Sequence, residues 1–334
     1  MASSSTIQLL LTIAQQYTIY TTVIIFLMGF VGNLLNILIF TKLKIFQNNQ
    51  CIFYLMVESI VDVNAVIYNF TLRLLTLIYG SDLSQYSTPW CKFRTMMGQT
   101  YLLISLSTIC FAAIDQFLST SHLIHLRQLS TLNLARCLVF ASVCFSLVHS
   151  IGFGVFYTAK PSVDCVLSNP ALVQYYSYFF YPMLCGLLPI LISGSISLLA
   201  YRNVRRIVRR QLPIIRRRLD RQLTKFVLVR VVFLIIFLGP VVIYRIYVIN
   251  AITQPPSPLR TAIERLVQAF IGSMFSLHFA GNCCIFLASS SRYRRQVKYV
   301  LVKEYWNSWK RKFHFNHGQI EPVAAPTISS NELE

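Results

Sequence analysis

Long apolar stretches alternate with short polar connections along the chain, and each stretch is bounded by charges, prolines or polar clusters. A bilayer core of roughly 30 Å requires about 20 apolar residues in a helix. The pattern therefore predicts an all-α integral membrane protein, a seven-transmembrane helix bundle within residues 18–289. The predicted helices are residues 18–41, 51–79, 89–122, 134–157, 172–201, 222–250 and 261–289.

The segments outside the bundle carry different patterns. Residues 1–17 lack the basic start and cleavage site of a signal peptide, so we expect the first apolar segment to serve as both signal and anchor. Residues 1–17 themselves are predicted to be an extracellular amino terminus. Residues 290–303 predict a short amphipathic helix on anionic inner-leaflet lipids, and residues 304–334 predict a partly disordered cytoplasmic tail. The apolar face of the amphipathic helix is formed by Tyr293, Val297, Val300 and Leu301.

Composition indicates a lipid environment, and the basic residues predict an orientation. The chain is 55% hydrophobic and 12% charged, with 30 Lys and Arg against 11 Asp and Glu. Ten basic residues lie between Arg202 and Lys225 and eight between Arg292 and Lys312, at the flanks of apolar stretches. Because basic connections favour the cytoplasm, we expect a plasma-membrane protein with its amino terminus outside and its carboxyl terminus inside. The flanking positions disfavour a nucleic-acid partner.

Four polar residues inside the apolar stretches carry a family resemblance: Asn33, Asp62, Ser105 and Asn282. Over residues 18–303 the chain resembles the rhodopsin-like G-protein-coupled receptors, in a divergent, peptide-receptor-like form. The resemblance implies that these residues form a sodium and water cluster, with a sodium ion at Asp62 and no other metal or cofactor. Each residue taken alone has an alternative role as a hydrogen bond between helices.

The resemblance also implies a disulfide and two helix bends. Cys91 and Cys165 correspond to the pair that forms an outer disulfide in the family. Cys91 precedes Asp115 by 24 residues, about 36 Å along a helix, so the two positions lie at opposite membrane faces. Pro189 and Pro240 match the family's helix prolines, which remove a backbone donor and bend the helix.

The chain departs from the family at the residues of its conformational switch. The family ends its third helix with an acid, Arg and Tyr, where this chain has Asp115, Gln116 and Phe117. In the family the Arg contacts the G protein and pairs at rest with an acid on the sixth helix, a position that Asp220 matches. Gln116 offers only a neutral hydrogen bond, and Phe286 replaces the tyrosine of the seventh-helix motif. We therefore expect a resting state that is held less firmly than in the family.

Residues near the outer helix ends indicate the ligand class. Gly98 stands where amine receptors have a carboxylate, and Ser276 where light-sensing relatives have a lysine, so both subclasses are disfavoured. Arg245 lies five residues beyond Pro240, about 7.5 Å further outward, and is suited to bind a carboxylate or a peptide carbonyl. The alternative is that the Arg245 side chain extends along the helix and places its charge among the outer lipid headgroups. The same cavity is predicted to include Gln99, Tyr101, Tyr178, Tyr244, Glu264 and Gln268.

These patterns predict a receptor without catalytic activity. It binds an extracellular ligand, a peptide being favoured, and moves its sixth helix to engage a heterotrimeric G protein. A small-molecule or chemosensory receptor of the same fold is the nearest alternative. A transporter or channel using Asp62, Ser105 and Asn282 as an ion path is disfavoured because the sequence shows no internal repeat. A membrane enzyme is third, since no cluster of His and acidic residues has metal-ligand spacing.

Overall fold

The protein is described by a computed structural model that covers residues 4–42, 49–80, 82–160, 164–207, 214–250 and 257–306. Within these ranges six helices are long and apolar enough to cross a membrane. A bent pair of helices raises the number to seven if the pair counts as one span. The chain is therefore an almost entirely helical, multi-pass membrane bundle, as its apolar pattern predicts.

The helices follow one another along the chain with short connections, and side chains fix several of their ends. Asn49 caps α2 by accepting a hydrogen bond from the Ile52 amide at 3.1 Å. Gly80 ends α2 with a positive φ of 69°, which glycine adopts without strain. The helices are α1 Ser4–Lys42, α2 Gln50–Tyr79, α3 Thr88–Thr120, α4 Ile124–Leu129, α5 Leu132–Gly154, α6 Pro170–Tyr175, α7 Leu188–Ile207, α8 Ile214–Asn250, α9 Pro258–Ala280, α10 Asn282–Ser289 and α11 Ser291–Lys298.

The first helix is longer than its apolar stretch predicts. α1 begins at Ser4, so residues 4–17, predicted as a terminus separate from the helix, are its first turns. They contain neither Gly nor Pro, and their threonine and glutamine side chains are compatible with a helix. The apolar pattern locates the part of a helix that lipid requires, and it does not set how far the helix continues beyond that part.

The fifth long helix has three consecutive segments. α6 leads into a π-helical segment, Tyr176–Leu187, which leads into α7. Pro182 lies inside the π-helical segment, and Pro189 lies just beyond it in the first turn of α7. Proline lacks an amide hydrogen and crowds the preceding turn, so a locally wider helix accommodates it. In contrast, α8 remains a continuous helix through Pro240.

A β-hairpin that the apolar pattern does not predict connects α5 to α6. Strand β1, Tyr157–Lys160, pairs antiparallel with β2, Asp164–Leu167, and places Ala159 opposite Cys165. Cys165 forms a disulfide with Cys91 near the start of α3, with a Cα–Cα distance of 5.5 Å. The predicted disulfide is confirmed. We call this end of the bundle the disulfide end, and the opposite end, where α7 ends and α8 begins, the basic end.

The last predicted span is broken at Gly281, where α9 and α10 meet at a bend of 61°. A Cβ atom on Gly281 would lie 2.2 Å from the Phe233 ring, so glycine allows α8 to pack closely here. The break deprives carbonyl groups of their usual helical donors. Asn33 Nδ2 donates to one of them, the Phe279 carbonyl, at 3.1 Å. The stretch 261–289 is therefore two helices, which a count of apolar residues does not reveal.

The amphipathic helix after the last span packs partly on the bundle itself. Tyr293 and Val300 are fully buried in the core cluster at the basic end, and the Tyr293 hydroxyl donates to Asn36 Oδ1 at 2.5 Å. Leu301 is exposed. The exposed basic side chains of α11 are Arg294, Arg295 and Lys298. The predicted two-faced pattern is present, and the bundle covers part of its apolar face.

Candidate functional site

A cluster of buried polar side chains occupies the middle of the bundle, and we call it the central cluster. Asn282 Nδ2 donates to Asp62 Oδ2 at 2.5 Å, which joins α10 to α2. Ser105 Oγ lies 3.4 Å from His278 Nε2, which joins α3 to α9. Burial in an apolar bundle is costly for each of these groups unless it is paired. The members of the cluster are Glu58, Asp62, Ser105, Arg230, His278 and Asn282.

The strongest contact in the central cluster is an ion pair that the sequence analysis missed. Arg230 Nε of α8 donates to Glu58 Oε1 of α2 at 2.8 Å. The two side chains are only 3% and 1% exposed. Removing one partner of such a pair leaves an uncompensated buried charge, which is strongly destabilising. The signal for this pair was the presence of Glu58 and Arg230 inside apolar stretches, one turn before Asp62 and ten residues before Pro240.

The predicted sodium cluster is only partly assembled from the predicted residues. Asp62 and Asn282 contact each other, but Ser105 contacts His278, and the Asn33 amide donates to the backbone carbonyls of Gly29 and Phe279. His278 was also missed by the sequence analysis, although it is fully buried and lies four residues before Asn282.

The donors around Asp62 fit a sodium ion poorly. Asp62 Oδ1 and Asn282 Oδ1 are buried and have no hydrogen-bond partner among the described residues, so oxygen atoms are present. However, Glu58 and Asp62 lie one turn apart on the same face of α2, and the Arg230 guanidinium that binds Glu58 also interacts electrostatically with Asp62. A second cation beside this carboxylate would be repelled by the fixed positive charge.

The predicted switch residues at the basic end make two separate hydrogen bonds. Gln116 Nε2 donates to Thr224 Oγ1 of α8 at 3.0 Å, and both residues are buried. Asp115 accepts a hydrogen bond at 2.6 Å from Ser130, in the connection between α4 and α5. Asp220 lies on α8 one turn before Thr224, and its side chain is outside the described residues. Among the described contacts, Gln116 thus reaches the predicted helix through a neutral partner, Thr224.

Aromatic rings surround the position where the family has its seventh-helix tyrosine. Phe286 is buried, with ring centroids 4.7 Å from Phe226, 5.5 Å from Tyr293 and 5.8 Å from Phe40. Phe117 is half-buried on α3. An apolar contact between α8 and α10 thus takes the place of a hydroxyl group.

Two predicted ligand residues, Gln99 and Tyr101, contact tyrosines outside the predicted set at the disulfide end. The Tyr176 hydroxyl donates to Gln99 Oε1 at 3.1 Å, and the Tyr101 ring lies 5.6 Å from that of Tyr68. Burial, together with Tyr181 and Tyr176, raises the pKa of the Tyr157 phenol in β1, while Arg245 acts in the opposite direction. Arg245 therefore lies near the β-hairpin as well as on α8.

The other predicted ligand residues lie elsewhere. Tyr178 is 73% exposed, and Gln268 is also exposed. Glu264 accepts hydrogen bonds at 2.8 Å from both Arg260 and Tyr247. The Tyr247 ring in turn lies 6.3 Å from the ring of Tyr244. These residues form a group that joins the adjacent ends of α8 and α9. The structure thus does not bring them together with Gln99 and Tyr101.

A residue that the sequence analysis missed contributes a second positive charge at the disulfide end. Arg73 of α2 lines a cavity of about 20 Å³ between α1, α2 and α9, enough space for about one water molecule. Its guanidinium packs on Gly272, where an added Cβ would lie 2.4 Å from Nη2. Arg73 also interacts electrostatically with Arg245. Neither arginine has a hydrogen-bond or ion-pair partner among the described residues.

An ion pair at the same end contrasts with these two arginines. Arg94 pairs with Asp82, which also accepts a hydrogen bond from the Ser84 amide at 3.0 Å. Burial raises the pKa of the Asp82 carboxyl, but Arg94 and the Ser84 hydrogen bonds outweigh burial and hold that pKa below its ordinary value.

Comparison with known proteins adds no family assignment. No family model matches the chain, and no curated protein matches it significantly.

Proposed function

We propose that the chain is a rhodopsin-like G-protein-coupled receptor of the plasma membrane, in which α8 is the mobile sixth helix. In this proposal α9 and α10 together form the seventh span. The disulfide end and the amino terminus are extracellular, and the basic end and the carboxyl terminus are cytoplasmic. The distribution of Lys and Arg along the sequence supports this orientation.

One observation carries the proposal, namely the two polar cross-links that hold the basic half of α8. Thr224 binds Gln116 of α3, and six residues further along Arg230 binds Glu58 of α2. The cross-links are about 9 Å apart along the helix. Outward displacement of this part of α8 breaks both contacts and opens the apolar cluster in which Phe226 and Val227 are buried. A small number of releasable contacts is what a two-state helix displacement requires.

The disulfide end supports binding of an extracellular ligand with an acidic group, and a peptide is favoured. Arg73 and Arg245 provide positive charge without an ion-paired acid among the described residues, since Asp82, which also acts on Arg73, is paired with Arg94. Nearby tyrosines provide apolar surface and hydroxyl groups. A carboxylate is the complementary group for a guanidinium. A small acidic molecule has the same complementary group, and it remains the alternative ligand.

The basic end supports a heterotrimeric G protein and anionic lipid as partners. Exposed Arg205 and Lys225 lie near the facing ends of α7 and α8, and exposed Arg294, Arg295 and Lys298 lie on α11. Positive charge at a cytoplasmic face attracts anionic lipid headgroups and steers acidic protein surfaces.

The proposal is tested by nucleotide exchange on a panel of purified G proteins, with the receptor in nanodiscs that contain anionic lipid. Candidate ligands are peptides in matched free-acid and amidated forms, together with small carboxylic acids. We expect at least one acidic ligand to accelerate exchange. Arg245→Ala should weaken its potency at least tenfold, whereas Arg260→Ala, which alters a neighbouring paired arginine, should change it little. The proposal fails if no G protein responds to any ligand and no variant with a released α8 raises basal exchange.

A further inference from the structure

We propose that Arg230 is a built-in cation of the central cluster, ion-paired to Glu58 and counter-charging Asp62, in place of a bound sodium ion. This inference does not depend on the receptor proposal, because it concerns only the charges inside the bundle. Its consequence is that the cation is covalently part of α8 and cannot dissociate from the cluster.

The arrangement of charges is the first argument. Glu58 and Asp62 place two carboxylates on one face of α2, one turn apart. Two such groups in an apolar bundle require a counter-charge. The guanidinium binds Glu58 Oε1 at 2.8 Å through Nε and interacts electrostatically with Asp62. A single residue thus acts on both carboxylates.

The hydrogen-bond inventory is the second argument. Nη1 and Nη2 of Arg230 are buried and have no hydrogen-bond partner among the described residues. Asp62 Oδ1 is likewise buried without such a partner. An arginine has five N–H donors in a fixed fork, so Nε can serve Glu58 while the remaining nitrogens are available to the Asp62 side of the cluster. A lysine would keep the positive charge but not this fixed fork of donors.

A sodium ion would have to compete with the Arg230 guanidinium for the oxygen atoms of the cluster. Sodium must be bound by oxygen atoms, and those available near Asp62 lie beside the fixed guanidinium. Repulsion between two cations is stronger in the bundle interior than in water. His278 also interacts electrostatically with Arg230, so the positive charge affects the cluster on its α9 side as well.

The test compares thermal unfolding of the purified chain in sodium chloride and in choline chloride at equal ionic strength. We expect wild-type melting temperatures to be the same in the two salts. The variant Glu58→Leu/Arg230→Leu removes the ion pair and leaves Asp62 and Asn282 in place. Its melting temperature should rise by about 2–4 °C in sodium, with a logarithmic dependence on concentration. Adding Asp62→Asn to this variant should abolish the rise.

Two results would overturn the proposal. One is a sodium-dependent stabilisation of the wild type that Asp62→Asn removes, because sodium would then share the site with Arg230. The other is a folded double-leucine variant as insensitive to sodium as the wild type, because Arg230 would then not be the group that excludes the ion. Arg230→Lys is the matched control. It retains a positive charge, so it should keep sodium insensitivity while lowering the melting temperature.

Discussion

The charged side chains that cross-link α2 and α8 inside the bundle, Glu58 and Arg230, are buried and paired, whereas those near the disulfide end are more exposed and only partly paired. Arg230 is enclosed with Glu58 between α2 and α8. Arg245, fifteen residues further along the same helix, is exposed and has no described partner. α8 thus carries both a buried, ion-paired arginine and an exposed arginine. The difference indicates that burial with a partner fixes a helix, while accessibility leaves a charge free to bind a ligand.

The largest expected effect separates these two arginines. Arg230→Leu leaves the Glu58 carboxylate buried without its partner and should destabilise the protein by about 3–5 kcal/mol. Arg245→Leu, at an exposed position on the same helix, should change stability by less than about 0.5 kcal/mol. Thermal unfolding in detergent measures both. Equal losses of stability in Arg230→Leu and Arg245→Leu would show that the buried, paired arginine contributes no more to stability than the exposed one.

The disulfide should make the next largest contribution to stability, and that contribution is confined to the disulfide end. Cys91→Ser or Cys165→Ser should cost about 2–5 kcal/mol, as is usual when a native disulfide is removed, and should reduce surface expression. Cys137→Ser changes an exposed free cysteine and is the control. Mass mapping that finds both Cys91 and Cys165 as free thiols in folded protein would contradict the assignment.

The neutral cross-link should contribute less than the ion pair. Gln116→Ala removes the hydrogen bond to Thr224, worth roughly 0.5–1.5 kcal/mol, and should raise basal G-protein exchange by about twofold to tenfold. Thr224→Val should have a similar effect, and the double variant should not exceed the larger single effect. Fully additive effects would show that the two residues act separately. Gln116→Arg is expected to lower basal exchange and strengthen the response to agonist.

The smallest expected effect is a pH dependence at the disulfide end. Because the folded-state pKa of Asp82 is below its unfolded value near about 3.9, its contribution is present above that value and is lost as pH falls through the folded pKa. Partial exposure limits the contribution to less than about 1 kcal/mol. Unfolding temperatures measured between about pH 6 and pH 3 should fall less in Asp82→Asn than in the wild type. An identical acid dependence in the two proteins would contradict this role.

The sequence predicted the features that follow from local composition. Apolar length located the helical stretches, and the family resemblance identified the disulfide between Cys91 and Cys165. Local composition did not predict the break at Gly281, because it depends on packing against Phe233 of another helix. For the same reason the β-hairpin, which depends on pairing between two short segments, was not predicted.

The candidate site was predicted less completely than the fold. Asp62 and Asn282 were matched to family positions and do contact each other, but Glu58, Arg230 and His278 were not among the matched positions. These three residues form the site through contacts between different helices, and such contacts cannot be read from the sequence. A charge inside an apolar stretch was the available signal, and it applies to both members of the ion pair.

The central claim is that polar cross-links hold the basic half of α8 at rest, and the most direct test measures the position of that helix. Spin labels at exposed Arg127 of α4 and exposed Lys225 of α8 report the distance between them in nanodiscs, after replacement of the exposed free cysteines, Cys137, Cys144 and Cys284. The parent protein should show one short distance. A variant lacking both cross-links, Glu58→Leu/Arg230→Leu/Gln116→Ala, should show a second, longer population without any ligand. A folded variant with the same single distance as the parent would contradict the account.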